Sequence, residues 1–403
     1  MDEIARRYLL LALRLGRLQR GLLDAYLGPG ELAEVVAGEP PASPRELHDE
    51  ALRLHELVAD QGGAGSVTDA ARRAWLAAQL TALSAAARTL AGDEIALPEL
   101  VEQLLDVPAE REPESSLSAA HRLLDAALPP GPSLRGRLAE HRRATVVPAE
   151  QVAAVAHQLV ALLRERCAED VSLPRGELLI VEPWEIGGGV WDTRLAAAGP
   201  LETRLELNLA IDWPLDTLLR SIAAQTYPGR HAQRVSRQQA VAEEGDRWEV
   251  SALCAVSPET VLADGLGAVG RQAVLGDYEL SAELRRIGRK VGLHVDVERD
   301  LEVGRARRLL APAASNAALL LHQDGLPGSE ARGYLAEMGL LTDREVDRVM
   351  ERLADPLLRV DPFSRAYGPR LVGSWLQATG QTDGVARLLR EQLTPGLLRA
   401  EAA

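Results

Sequence analysis

Aromatic residues are scarce in this 403-residue chain, at 3% with a single phenylalanine. The core must therefore be aliphatic, built on abundant Leu and Ala, which suits packed helices better than a β-sandwich. Cysteine is nearly absent too. Cys167 and Cys254 lie far apart in apolar, helix-like surroundings, and two thiols cannot supply a secreted-type disulfide framework, so a reducing cytoplasm is the expected location. Lys290 is the only lysine, leaving arginine to carry the positive charge. With a formal net charge of -14 and arginines spread along helix faces rather than gathered in one stripe, nucleic acid is not an expected partner. Long apolar runs are missing as well. Stretches such as Tyr8 to Leu13 fall far short of the roughly 20 residues a membrane helix needs, so no membrane span is expected. The opening Met1-Asp2-Glu3-Ile4-Ala5-Arg6-Arg7 reads as an amphipathic helix, without the basic region and small-residue cleavage site of an export signal.

What is present is helical periodicity. Residues 1 to about 145 read as successive amphipathic helices. Leu11, Leu15, Leu18 and Leu22 share one face, and Gly28-Pro29-Gly30 is expected to stop the first helix. Ser43-Pro44-Arg45-Glu46 reads as a helix cap with proline at the first helical position. Further helices are expected around Trp75 to Leu90, Pro98 to Leu105 and Ser116 to Leu128, until Pro129-Pro130-Gly131-Pro132 ends the run. Residues 146–403 form the second region, continuous with the first. Its helical pattern breaks once, where Glu177-Leu-Leu-Ile-Val-Glu182 and Arg204-Leu-Glu-Leu-Asn-Leu209 read as strands. Trp184, Gly187-Gly188-Gly189 and Trp191 lie between them, and the pair predicts a small antiparallel sheet before a helix beginning near Pro214. The expected fold class is mainly α, a multi-helix body with that sheet beside residues 214 to 243.

The chemistry-bearing stretch follows the second strand: Asn208, Asp212, then Ala223-Ala224-Gln225-Thr226-Tyr227-Pro228-Gly229-Arg230-His231. It resembles a family of bacterial zinc-peptidase-like proteins, distantly similar to gluzincin metallopeptidases, whose motif here runs His-Glu-x-x-Pro-Gly-His-His. The resemblance extends to Asp24-Ala25-Tyr26 with Gly28-Pro29, to Asn316 through His322 with Gly325, to Asp355-Pro356-Leu357 and to Tyr367-Gly368. It implies a mainly helical metallopeptidase-like body whose first histidine falls at Ala224, general-base glutamate at Gln225, and paired histidines at Arg230 and His231. The family's third ligand, from an Ile-Ser-Glu-Gly pattern, falls at Asp264 in Leu262-Ala263-Asp264-Gly265.

A catalytic zinc needs three protein ligands and an open position. Ala224 has no donor atom, Arg230 repels a divalent cation, and Gln225 cannot take a proton from water, which leaves His231 and Asp264. No resident cofactor is therefore expected. Three readings remain open: an eroded site; a cleft refitted for a small anionic or peptide ligand, with Gln225, Tyr227 and Arg230 as its contacts; or hydrolysis or group transfer without zinc, using His231 and Asp264 as acid and base, with Tyr367 facing an oxyanion.

Other signals carry less. Gly265-Leu-Gly267-Ala-Val-Gly270 matches a dinucleotide fingerprint but follows a helical stretch rather than a strand, so its glycines are read as letting helices approach closely. His322 on its apolar run is read as a packed or capped residue. His294 falls in a strand-like stretch, 292–296, and the two cysteines read as buried structural thiols.

Overall fold

The protein is described here from a computed structural model covering residues 1–60, 67, 69–185, 192–245 and 247–402, with the Glu244 side chain excepted. Gly187-Gly188-Gly189 and Trp191 lie outside the described residues.

The first region is helical, as its leucine spacing requires. Its helices are α1 (Glu3–Leu18), α2 (Gly30–Gly38), α3 (Pro44–Ala59), α4 (Ala70–Leu90), α5 (Leu97–Leu105), α6 (Glu114–Ala127) and α7 (Leu134–Ala144). Helix α3 starts at the expected capping box: the Ser43 hydroxyl accepts from the Glu46 backbone N–H, and the Glu46 carboxylate accepts from the Ser43 N–H. The first helix ends at Leu18, short of the expected glycines. Gly21 adopts a φ of +89°, and the following residues enter β1 (Leu23–Tyr26), which pairs antiparallel with β5 (Ala252–Cys254). A long-range strand pairing thus cuts short a helix whose local periodicity continues.

Helix α8 (Ala149–Asp170) leads into β2 (Leu178–Trp184), β3 (Thr193–Gly199) and β4 (Glu202–Asn208), a sheet of order β2-β4-β3. The two strands read from the sequence are adjacent, but they run parallel; the antiparallel partner of β4 is β3. The alanine-rich Thr193–Gly199 has weak strand propensity, and the chain needs this third strand to reverse direction before β4. The remaining helices are α9 (Leu215–Gln225), α10 (Arg230–Glu244), α11 (Pro258–Val274), α12 (Asp277–Lys290), α13 (Val297–Arg308), α14 (Pro312–His322), α15 (Gly328–Glu337), α16 (Asp343–Ala354), α17 (Asp361–Thr379), α18 (Gln381–Arg390) and α19 (Pro395–Ala402). His294 lies in the connection between α12 and α13 and not in a strand.

Helix α11 is the buried axis of the second half, packing against α17, α9 and α18. Its glycines explain how. A Cβ at Gly265 would lie 2.5 Å from the Gly368 carbonyl oxygen of α17, and one at Gly267 would lie 2.9 Å from the Ala224 Cβ of α9. The dinucleotide-like pattern is therefore a helix-packing face, capped by Ser257 and opened by Pro258. Two large aliphatic cores result. One joins Tyr8, Trp75 and Leu100 to Val261, Leu353 and Phe363; the other joins Leu159 and Leu205 to Ile222, Leu266 and Trp375. Tyr367 packs against both.

Candidate functional site

The Pro-Gly turn between α9 and α10 governs the site. A Cβ at Gly229 would fall 2.5 Å from the Ala223 carbonyl oxygen, so only glycine lets α10 begin this close to the end of α9. The turn sends consecutive residues in opposite directions: His231 inward toward the sheet, Arg230 toward α11.

His231 is fully buried in a network that its own segment does not reveal. Its Nε2 donates to Glu177 Oε2 at 2.7 Å, and its Nδ1 pairs with the Thr203 hydroxyl of β4 at 2.7 Å. The Tyr227 hydroxyl donates to the same Glu177 oxygen at 2.6 Å, and Arg164 Nε of α8 donates to the other at 2.7 Å. The Glu177 side chain is 0% exposed. Burial by itself would raise its pKa, but the hydrogen bonds from His231 and Tyr227, the charge of His231 and the hydrogen bond from Arg164 outweigh it, holding the carboxyl down to about 2. Burial first, and then Glu177, push the Tyr227 phenol well above its usual range. This network fastens the sheet to α8, to the turn before α10 and to α10 itself. Tyr227, expected as a ligand contact, is closed off by it.

Arg230 and Asp264 form the second cluster. Arg230 Nη2 donates to Asp264 Oδ1 at 2.7 Å, while the Ser364 hydroxyl of α17 donates to Asp264 Oδ2 at 2.7 Å. Asp24, from β1, lies 3.9 Å from Arg230 Nη1 and accepts from Arg234 Nη2 at 2.6 Å. Arg365, paired to Asp361 at 3.0 Å, raises the positive potential around Arg230. Gln225, the last residue of α9, is half-buried, and Tyr367 stands one turn beyond Ser364 on α17. Sequence reasoning missed Glu177, Thr203, Arg164 and Ser364 as partners, since nothing local marks residues brought together across 13 to 100 positions.

The zinc implied by the resemblance can be tested on this donor set. Ala224 offers no donor, and its Cβ sits against Gly267. Both His231 nitrogens and both Asp264 oxygens already have protein partners, and His231 shares none of its partners with Asp264. The residues present do not fit a zinc ion. Among the described residues no group of three or more His, Cys, Asp or Glu side chains could hold a metal. His322 bonds the Leu353 carbonyl through Nε2 at 2.9 Å, and both cysteines are buried and free, as structural residues would be.

The sequence matches no protein-family model and no curated protein. Two solved structures are similar in fold. One, from Colwellia psychrerythraea and described as a candidate lipoprotein, shares 12% identity at a TM-score of 0.52, covering 93% of this chain and 61% of that one. The other, from Shewanella oneidensis and described as a candidate lipoprotein of unknown function, shares 12% identity at a TM-score of 0.50, covering 96% of this chain and 77% of that one. The chain thus spans about three-fifths of the length of the first. Among the described residues no helix is long and apolar enough to cross a membrane.

Proposed function

We propose that this chain is a metallopeptidase-like protein that has given up zinc chemistry and works as a binding protein, its cleft taking a small anionic or peptide ligand. The observation that carries this reading is the Arg230–Asp264 ion pair at 2.7 Å, with Ser364 on the second carboxylate oxygen. In the resembled family those two positions supply metal ligands; here a guanidinium stands where a cation would have to enter. The Arg230 side chain keeps 24% exposure and that of neighbouring Arg365 keeps 58%, so two guanidinium groups remain partly open to solvent, and a guanidinium can bind a carboxylate in a bidentate way. Gln225 adds an amide donor and acceptor. The competing reading, acid–base catalysis by His231 and Asp264, is weakened by the separate partners of the two residues and the full burial of His231.

Metal analysis of the purified full chain tests the proposal, with zinc expected far below one ion per chain. Near-stoichiometric zinc, lost on chelation together with peptide hydrolysis, overturns it. A cytoplasmic location is part of the same reading, and recovery of the chain in a membrane-anchored fraction of its native cells overturns that part.

A further inference from the structure

A cleft open to solvent lies between α9, α11, α12 and α13; its lining includes none of Gln225, Arg230, His231 or Asp264. Four arginines line it: Arg220, Arg271, Arg305 and Arg308. Three of them are satisfied. Arg220 pairs with Asp216 at 3.1 Å, and Arg271 and Arg305 share Asp277 at 3.2 and 3.1 Å. The remaining carboxylate of the cleft, Asp300, pairs with His141 at 3.2 Å.

Arg308 has no hydrogen bond or ion pair among the described residues, although it is partly buried. Burial, and then the charges of Arg220, Arg271 and Arg305, push its guanidinium down to about 10. A cation in the last turn of a helix is ordinarily explained by the helix dipole, but such a residue can satisfy the dipole while extended into water. Arg308 instead lies along the cleft wall, its Nη1 4.0 Å from where a Gly304 Cβ would stand. The rest of the lining is largely hydrocarbon, with Leu219, Leu284, Val295 and Leu301 among it.

We propose that this cleft binds an amphiphilic organic anion, its carboxylate or phosphate head held by Arg308 and its hydrocarbon body laid on these leucines. The head supplies the missing counter-charge among four arginines, and the body covers apolar lining that water would otherwise wet.

Calorimetric titration of the full chain with decanoate and with decyl phosphate tests this, with inorganic phosphate as the probe lacking a body. One or both alkyl probes should bind saturably at one site, at least about tenfold tighter than phosphate, and the tighter of the two identifies the head. Arg308→Gln should weaken that binding about tenfold or more, the scale of a lost charge-assisted hydrogen bond. Gly304→Leu is an independent check should Arg308→Gln fail to fold: it fills the cleft while keeping every charge, and should abolish binding. The proposal is overturned by absence of saturable alkyl binding, by equal affinity for inorganic phosphate, or by binding that survives Gly304→Leu. A loss in Arg230→Ala with none in Arg308→Gln also overturns it, by placing the anion in the cleft of the proposed function instead.

Discussion

His231 and Arg230 are adjacent in sequence, yet one is locked into the interior and the other sits on a rim. The buried carboxylate that holds His231 has a consequence for acid stability. Glu177 is held at about 2 in the folded protein, against about 4.3 for an unperturbed glutamate, so its stabilising contribution is present above the higher value and is lost as pH falls toward the lower one. Urea midpoints measured from pH 6 down to pH 2.5 should decline most steeply below about pH 4.5, and Glu177→Gln should flatten that decline; an unchanged slope in the variant removes Glu177 as its source. His231→Ala leaves the carboxylate short of a buried donor and should cost about 3–5 kcal/mol, the scale for breaking a buried pair by removing one member. A change below about 1 kcal/mol in the same denaturation series would contradict the network described for it. Zn²⁺ affinity should be no different in this variant, because His231 has no free nitrogen to offer.

At the scale of elements, the glycines of α11 set the spacing of the helices around the site. Gly265→Ala places a methyl group 2.5 Å from the Gly368 carbonyl oxygen and should destabilise by about 1–3 kcal/mol, the usual cost of overpacking. Gly373→Ala is the informative contrast. It lies on α17, facing α11, yet the nearest neighbour of its added methyl would be Val269 at 4.0 Å, so the change should be neutral or stabilising by up to about 1 kcal/mol through helix propensity. Equal thermal shifts in the two variants would show that close approach is not what these glycines serve. The packing role of Gly265 and Gly267 was legible in the sequence, because a glycine pattern inside a capped helix cannot cradle a phosphate as a strand-to-helix turn does. The parallel run of β2 and β4 was not. Strand direction depends on the crossover between paired strands, and that crossover passes through β3, whose alanines carry little strand signal.

The whole molecule is tied together across its length. Residues of α1, α4 and α5 share one core with residues of α11, α14 and α17, whereas the other large core lies wholly within 146–403, so 1–145 depends on the second region to complete the burial of its apolar faces. Expressed alone, 1–145 should lack the cooperative thermal transition that the full chain shows; a sharp transition in that fragment would contradict a shared core. The same connectivity places Asp24 of β1 beside Arg230 and Arg234 of α10, so the candidate cleft draws on both halves.

Composition and periodicity alone determined that this is a mainly helical, aliphatic-cored protein, because burial of leucine at helical spacing is a local rule that a short window satisfies. That Ala224, Gln225 and Arg230 carry neither imidazole nor carboxylate is equally legible in the sequence, since a missing donor atom is a property of a residue and needs no neighbours. Where the surviving side chains went was a tertiary decision. Whether His231 meets Asp264 or Glu177 depends on the turn at Gly229 and on strands and helices far away in sequence, and desolvating a histidine and a carboxylate is tolerable only where each supplies the other's hydrogen bond.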